Sequence, residues 1–190
     1  MTETFHQDKT FDQINYADKV VTGREFEDCT FTRCDFSNSN FSHNSFTDCR
    51  FSDCNLSMVQ LSNSKLHGAT FVNCKLVGVD FSLCHDFLFA VNFKGCSLDY
   101  TYFGKKNLKK TVFESCSIKE ANFTDADLTE AAFLDCDLTR TVFHRTNLEK
   151  ADFRTAVHYA LDPELNRIKK AKFSMPGVLG LLAKYDIVIK

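Results

Sequence analysis

Residues 121–140 read ANFTD ADLTE AAFLD CDLTR, four five-residue units that each carry one large apolar side chain in the same place. Those side chains are Phe123, Leu128, Phe133 and Leu138, and two residues ahead of them stand the small Ala121, Ala126, Ala131 and Cys136. Working outward, the register holds from Phe93 to Phe153, with Phe and Leu (once Ile118) alternating throughout. Upstream, Phe or Leu recurs every fifth residue from Phe26 to Phe81, and the pattern extends weakly back through Val21 and Tyr16 to Phe11. Between the two runs the register slips by two residues within Ser82–Phe87 and resumes at Leu88. A period of five belongs neither to a helix nor to a simple strand. It requires a turn in every unit, so that each central side chain points into a closing coil.

The number of sides follows from what repeats at twenty. Phe93, Phe113, Phe133 and Phe153 share one column, Leu108, Leu128 and Leu148 another, and Cys34, Cys54 and Cys74 a third. Charges twenty apart tend to be opposite: Lys105, Asp125, Arg145; Lys110, Glu130, Lys150; Glu120, Arg140. Opposite charges on neighbouring strands support each other, whereas a two-sided coil of ten would set Asp125 beside Asp135. Four units per turn satisfy all three regularities. The predicted fold is therefore all-β: a right-handed quadrilateral parallel β-helix of about seven coils, at about 4.8 Å per coil. The expected core is Phe31, Phe51, Phe71, Phe93, Phe103, Phe113, Phe123, Phe133, Phe143 and Phe153. Burial of each such ring contributes about 1.5–3 kcal/mol.

Segment boundaries fall where the pattern fails. Residues 1–20 read as a poorly patterned N-terminal cap, 21–173 as the coil, and 174–190 as a C-terminal helix and tail. His158 and Pro163 break the consensus, but Ile168 and Phe173 return to register, so the coil is expected to close near Phe173. Beyond it Val178, Leu179, Leu181, Leu182 and Tyr185 are spaced as on an amphipathic helix, and Asp186–Lys190 is short and strand-like. An apolar helix at the end of a solenoid either caps its own coil or buries a twofold dimer interface. The slip likewise has two readings, a bulge that corrects coil geometry or a small projection, carrying His85 and Asp86, that contacts a partner.

The chain has 190 residues, formal charge −2, 20 Phe, no Trp, 2 Pro and 9 Cys. No strongly basic or acidic balance points to direct nucleic-acid binding. The start of the chain lacks a signal-peptide pattern, and no stretch approaches the roughly 18 apolar residues of a membrane span. A cytoplasmic protein without a membrane association is the expectation, and there the cysteines are reduced. All nine sit at the inward small site, which explains them as small buried hydrophobes. With no Cys-x-x-Cys, no nucleophile motif and no glycine-rich phosphate loop, neither a metal, a cofactor nor an enzyme is expected. Lys105, Lys106, Lys109 and Lys110 form a basic cluster that reads as a solvated patch. Lys106, however, occupies an inward site, so the coil is expected to distort there. Asp125, Asp127, Glu130, Asp135 and Asp137 gather as candidate mimics of DNA phosphates, offset by neighbouring Lys and Arg.

The small–Asp/Asn–Leu/Phe–x–x register resembles that of the pentapeptide-repeat family, over about 150 residues. Within it, Asp162-Pro163-Glu164-Leu165-Asn166-Arg167-Ile168, Ala171-Lys172-Phe173-Ser174, Gly180-Leu181-Leu182 and Asp186-Ile187 look like the ending of members that protect type II topoisomerases. These are the quinolone-resistance (Qnr), albicidin-resistance, microcin-immunity and mycobacterial gyrase-binding types. The resemblance implies a bacterial homodimer, joined through its C-terminal helix, that binds DNA gyrase or topoisomerase IV where DNA or a poisoned complex sits. Two departures stand: Qnr proteins carry larger projecting loops, and the mycobacterial type is strongly acidic. A scaffold for an unrelated protein partner is the other reading.

Overall fold

The computed structural model describes residues 4–185 and 187–188. Among these, eleven short strands run in parallel: β1 (Phe5–Gln7), β2 (Thr10–Asp12), β3 (Glu25–Glu27), β4 (Thr30–Thr32), β5 (Ser45–Thr47), β6 (Arg50–Ser52), β7 (Lys65–His67), β8 (Ala69–Val72), β9 (Val91–Lys94), β10 (Val112–Glu114) and β11 (Ala132–Leu134). One sheet stacks β1-β3-β5-β7 and another β2-β4-β6-β8-β9-β10-β11. Partners lie twenty residues apart, as in Phe31↔Phe51 and Phe113↔Phe133, except across the slip, where Phe71 meets Phe93. Isolated parallel bridges such as Asn55↔Lys75 and Asn122↔Val142 build the remaining two sides. The fold is thus a four-sided parallel β-helix. It begins before residue 21: within the segment read as a cap, β1 and β2 already pair with β3 and β4.

The consensus positions have distinct physical jobs. Two residues after most centres the backbone is left-handed, as at Asp28, Asn38, Asp48, Asp125 and Arg145, which turns the chain through a corner. Asp and Asn tolerate that conformation best among non-glycine residues. The Asp or Asn before the centre accepts the N–H two residues on, as Asp35 does from Ser37 (2.9 Å) and Asn122 from Thr124 (2.8 Å). The small inward residue donates to carbonyls of its own and the preceding coil: the Cys54 thiol reaches Ser52 and Phe31, and the Thr146 hydroxyl reaches Phe123. Cys, Ser and Thr at this site therefore satisfy backbone acceptors in the lumen. All nine cysteines are buried and free, and burial pushes Cys49 and Cys84 up to about 12.

The lumen is filled by rings. Phe11, Phe31, Phe51, Phe71, Phe93, Phe113, Phe133, Phe153 and Phe173 form one continuous stack, with centroids 4.7 Å apart at Phe31–Phe51 and 5.5 Å at Phe153–Phe173. From the opposite side Phe81, Phe103, Phe123 and Phe143 stack in turn and meet the first column edge-on, as in Phe113–Phe123 at 85°. Offset stacks joined by T-shaped contacts are the preferred arrangements of aromatic quadrupoles. Every ring of the expected core is buried.

Two expectations are corrected at the ends of the second run. Leu88 is not the resumed centre: it is 54% exposed, and Phe89 enters the lumen in its place. The C-terminal segment is not one helix but two 3-10 turns, Gly177–Leu181 and Ala183–Tyr185. Two glycines lower its helix propensity, and the Gly180 carbonyl is taken by the Leu161 N–H (3.2 Å) instead of an intrahelical donor. A Cβ on Gly180 would lie 2.1 Å from the Tyr159 carbonyl oxygen, so only glycine permits this docking. Of the strand-like ending, Asp186, Ile189 and Lys190 lie outside the described residues.

Candidate interaction surface

Among the described residues, the regular side walls are interrupted at the slip. Phe81–Leu83 forms a 3-10 turn, with Asp80 accepting from the Ser82 N–H and hydroxyl. His85 still pairs with the Ser64 carbonyl of the preceding coil, and Ala90 pairs again with Leu66; the residues between are looped out. The loop is closed locally by Phe87 N–H to His85 Nδ1 (3.1 Å) and Phe89 N–H to the Asp86 carbonyl (3.3 Å). Phe87 stands 67% exposed, beside the exposed Leu83 and Leu88. Phe87 and Leu88 stand at the tip of the looped-out segment, beside His85 and Asp86, and with Leu83 just before it they give the slip three exposed large apolar side chains, a projection rather than a flush bulge. Periodicity locates the slip but not which side chains it displays, because either Leu88 or Phe89 has the chemistry to enter the lumen.

The acidic candidates are not all brought together. Asp125, Asp127, Glu130, Asp135 and Asp137 are spread around a single coil; Asp125 and Asp127 line one surface cavity with Arg145, Glu164 and Arg167, and the others lie outside it. Most are also paired. Asp125 is bound by Arg145 through two hydrogen bonds (2.7 and 2.9 Å), Glu130 by Lys150 (2.7 Å), and Asp127 by Lys109 (3.3 Å). The Arg145 guanidinium holds Asp125 below the usual carboxylate range, and the Lys150 ammonium does the same for Glu130. At Asp137, burial works against the charge but is outweighed by the Thr139 hydroxyl, His158 and Lys119, which hold it well below that range. Arg140 and Glu120 pair likewise. These ladders offset most of the acidic candidates.

The N-terminal third differs, and the sequence carries the signal at the same twenty-residue spacing. Asp8, Asp28 and Asp48 occupy one corner column, all exposed, with Glu25 and Glu27 beside them. No ion pair to any of the five is found among the described residues. Residues 4–63 hold nine acidic and five basic side chains, whereas 141–172 hold four acidic and seven basic. The rod is therefore polar along its length although its total charge is near zero.

At the C-terminal end Leu181 is half-buried against the core, while Val178, Leu179, Leu182 and Tyr185 are exposed. Lys184 ties the segment to the coil through Asp162 (2.8 Å) and Glu164 (2.6 Å). So one of the five residues read as a dimer face serves the cap, and four remain on the surface. Among the described residues no three His, Cys, Asp or Glu side chains group as a metal site, and no helix is long and apolar enough to cross a membrane.

No curated protein matches the chain. Among solved structures, a trypsin-treated form of QnrB1, a plasmid-mediated fluoroquinolone resistance protein, superposes with a TM-score of 0.65 at 19% identity, covering 98% of this chain and 100% of its own. A second trypsin-treated form gives 0.55 at 22% identity, with 95% and 99% covered. HetL, a pentapeptide-repeat protein involved in heterocyst differentiation regulation in the cyanobacterium Nostoc, gives 0.46 at 18% identity, with 89% and 88% covered. The description of the pentapeptide repeat region matches residues 24–87 and 86–157. With the five-residue register, the four-sided coil and this match in agreement, the chain belongs to the pentapeptide-repeat family.

Proposed function

We propose that this protein is a non-enzymatic rod that binds a type II topoisomerase, DNA gyrase or topoisomerase IV, and shields it from an inhibitor. The observation that carries the reading is the apolar projection of Leu83, Phe87 and Leu88 at mid-rod, in a chain whose whole length follows the fold of a fluoroquinolone resistance protein. Exposed Phe and Leu gathered at and beside one loop are costly in water unless a partner covers them. The acidic column Asp8–Asp28–Asp48 adds a surface suited to the basic, DNA-contacting side of such an enzyme. The ring of Asp125–Asp137 has no part in this reading, because most of its carboxylates are already paired with Lys or Arg. Dimerisation through Val178, Leu179, Leu182 and Tyr185 belongs to the same proposal.

The test is a gyrase supercoiling assay with purified protein, with and without a fluoroquinolone or a peptide poison. Restored supercoiling that is lost in the Phe87→Ser/Leu88→Ser variant supports the reading. No binding and no effect in any arm would exclude it. A scaffold with an unrelated protein partner is the second reading, and the paired ladders of the C-terminal half favour it; affinity capture by the same two proteins, wild type and variant, would identify that partner.

A further inference from the structure

Among the described residues, Lys106 is the one charged residue fully enclosed by the coil, 1% exposed. It stands in an inward column whose nearest members are small: Ser64, Cys84, Ala126 and Thr146. The expected distortion at Lys106 is absent: its N–H reaches the Phe103 carbonyl (3.1 Å) and its carbonyl accepts from Asp127 (2.9 Å), as elsewhere along the wall. The distortion lies one coil earlier, at the projection, and Lys106 fits because of it. Its ammonium donates to the Cys84 carbonyl and to Asp86 Oδ1, both at 2.5 Å, and lies 5.2 Å from the centre of the Phe89 ring. These three partners are the two feet and the middle of the looped-out segment. Burying a lysine is costly, and a methyl-sized side chain would fill the column without that cost. What the lysine adds is a fixed shape for the loop.

We infer that Lys106 is a positioning residue, a latch that holds the projection in the single conformation displaying Phe87 and Leu88. At the slip no backbone N–H of the described residues meets the Cys84 carbonyl. The ammonium from the next coil supplies the donor. Asp86, whose side chain is 86% exposed, then draws the loop back across the corner, leaving Phe87 and Leu88 outermost. The use of the projection in docking rests on the proposed function; the latch itself does not.

The experiment compares wild type with Lys106→Met, which keeps chain length and fills the column, and with Asp86→Ala, which leaves the lumen untouched. Chymotryptic nicking at Phe87–Phe89 and hydrogen exchange of residues 85–90 report the loop, and thermal melting reports the coil. The expected result is nicking and exchange faster by about tenfold or more in Lys106→Met, and by less in Asp86→Ala, with cooperative melting retained. If Lys106→Met fails to fold, faster nicking in Asp86→Ala still supports the latch. Nicking and exchange at wild-type rates in every variant that folds would overturn it. Loosened loops with undiminished topoisomerase binding would leave the latch standing and count against the docking reading instead.

Discussion

At the scale of the residue, stability resides in rings that touch both neighbours. Phe113 is fully buried, stacked on Phe93 (5.3 Å) and Phe133 (4.9 Å) and edge-on to Phe103 and Phe123. Each coil contacts only the next, so removing the ring breaks the stack without a distant element to compensate. Phe113→Ala is expected to cost about 3–5 kcal/mol, read as a lowered denaturation midpoint. A titratable residue gives a second expectation. The folded value of Asp137 lies below its unfolded value of 3.8, so its charge favours the fold above pH 3.8 and this contribution is lost as pH falls through the folded value. Midpoints in urea between pH 5 and pH 2 should therefore fall less steeply for Asp137→Asn than for wild type; parallel curves would show that Asp137 is not held down. Residues of both kinds are legible in the amino-acid pattern, since inward or outward position follows from place in the unit. The partners of Asp137 are less so: Thr139 is local, but Lys119 and His158 lie about one coil away on either side, His158 in a stretch where the consensus breaks.

At the scale of the element, the five-residue unit is self-explaining and its interruptions are not. A strand, an Asp or Asn turn and a small inward residue follow from local chemistry, so the wall can be drawn from the sequence. The slip can be located but not shaped, because Leu88 and Phe89 compete for one site, and the ring that enters it packs near the ammonium of Lys106, seventeen residues beyond Phe89. The closing segment misleads in another way. Its apolar spacing suits a helix, yet Gly177 and Gly180 are needed for close approach to Tyr159, a tertiary demand that periodicity does not encode. Gly180→Ala should therefore release this element while sparing the coil, since its Cβ would meet the Tyr159 carbonyl oxygen at 2.1 Å. Hydrogen exchange should rise in residues 177–185 and stay protected from Phe93 to Phe153. Unchanged protection at the end would mean that the glycine is not required for docking.

For the whole molecule, the charge pattern sets stability against binding. Along most of the C-terminal wall, side chains twenty residues apart attract, but Asp8, Asp28 and Asp48 repel across the same strand spacing. A fold concerned only with its own stability would alternate signs here too, as Lys105, Asp125 and Arg145 do. Its retention of a like-charge column makes sense if a basic partner surface offsets the repulsion when bound. Asp28→Lys separates the two effects, because it converts the column to alternating signs. The expected outcome is a melting temperature raised by about 1–3 °C at low salt, an increase that shrinks as salt screens the pairs. Binding to the topoisomerase should weaken in the same variant, mainly through slower association. A variant that is both more stable and equally well bound would remove the acidic column from the interface and leave the mid-rod projection to account for recognition alone.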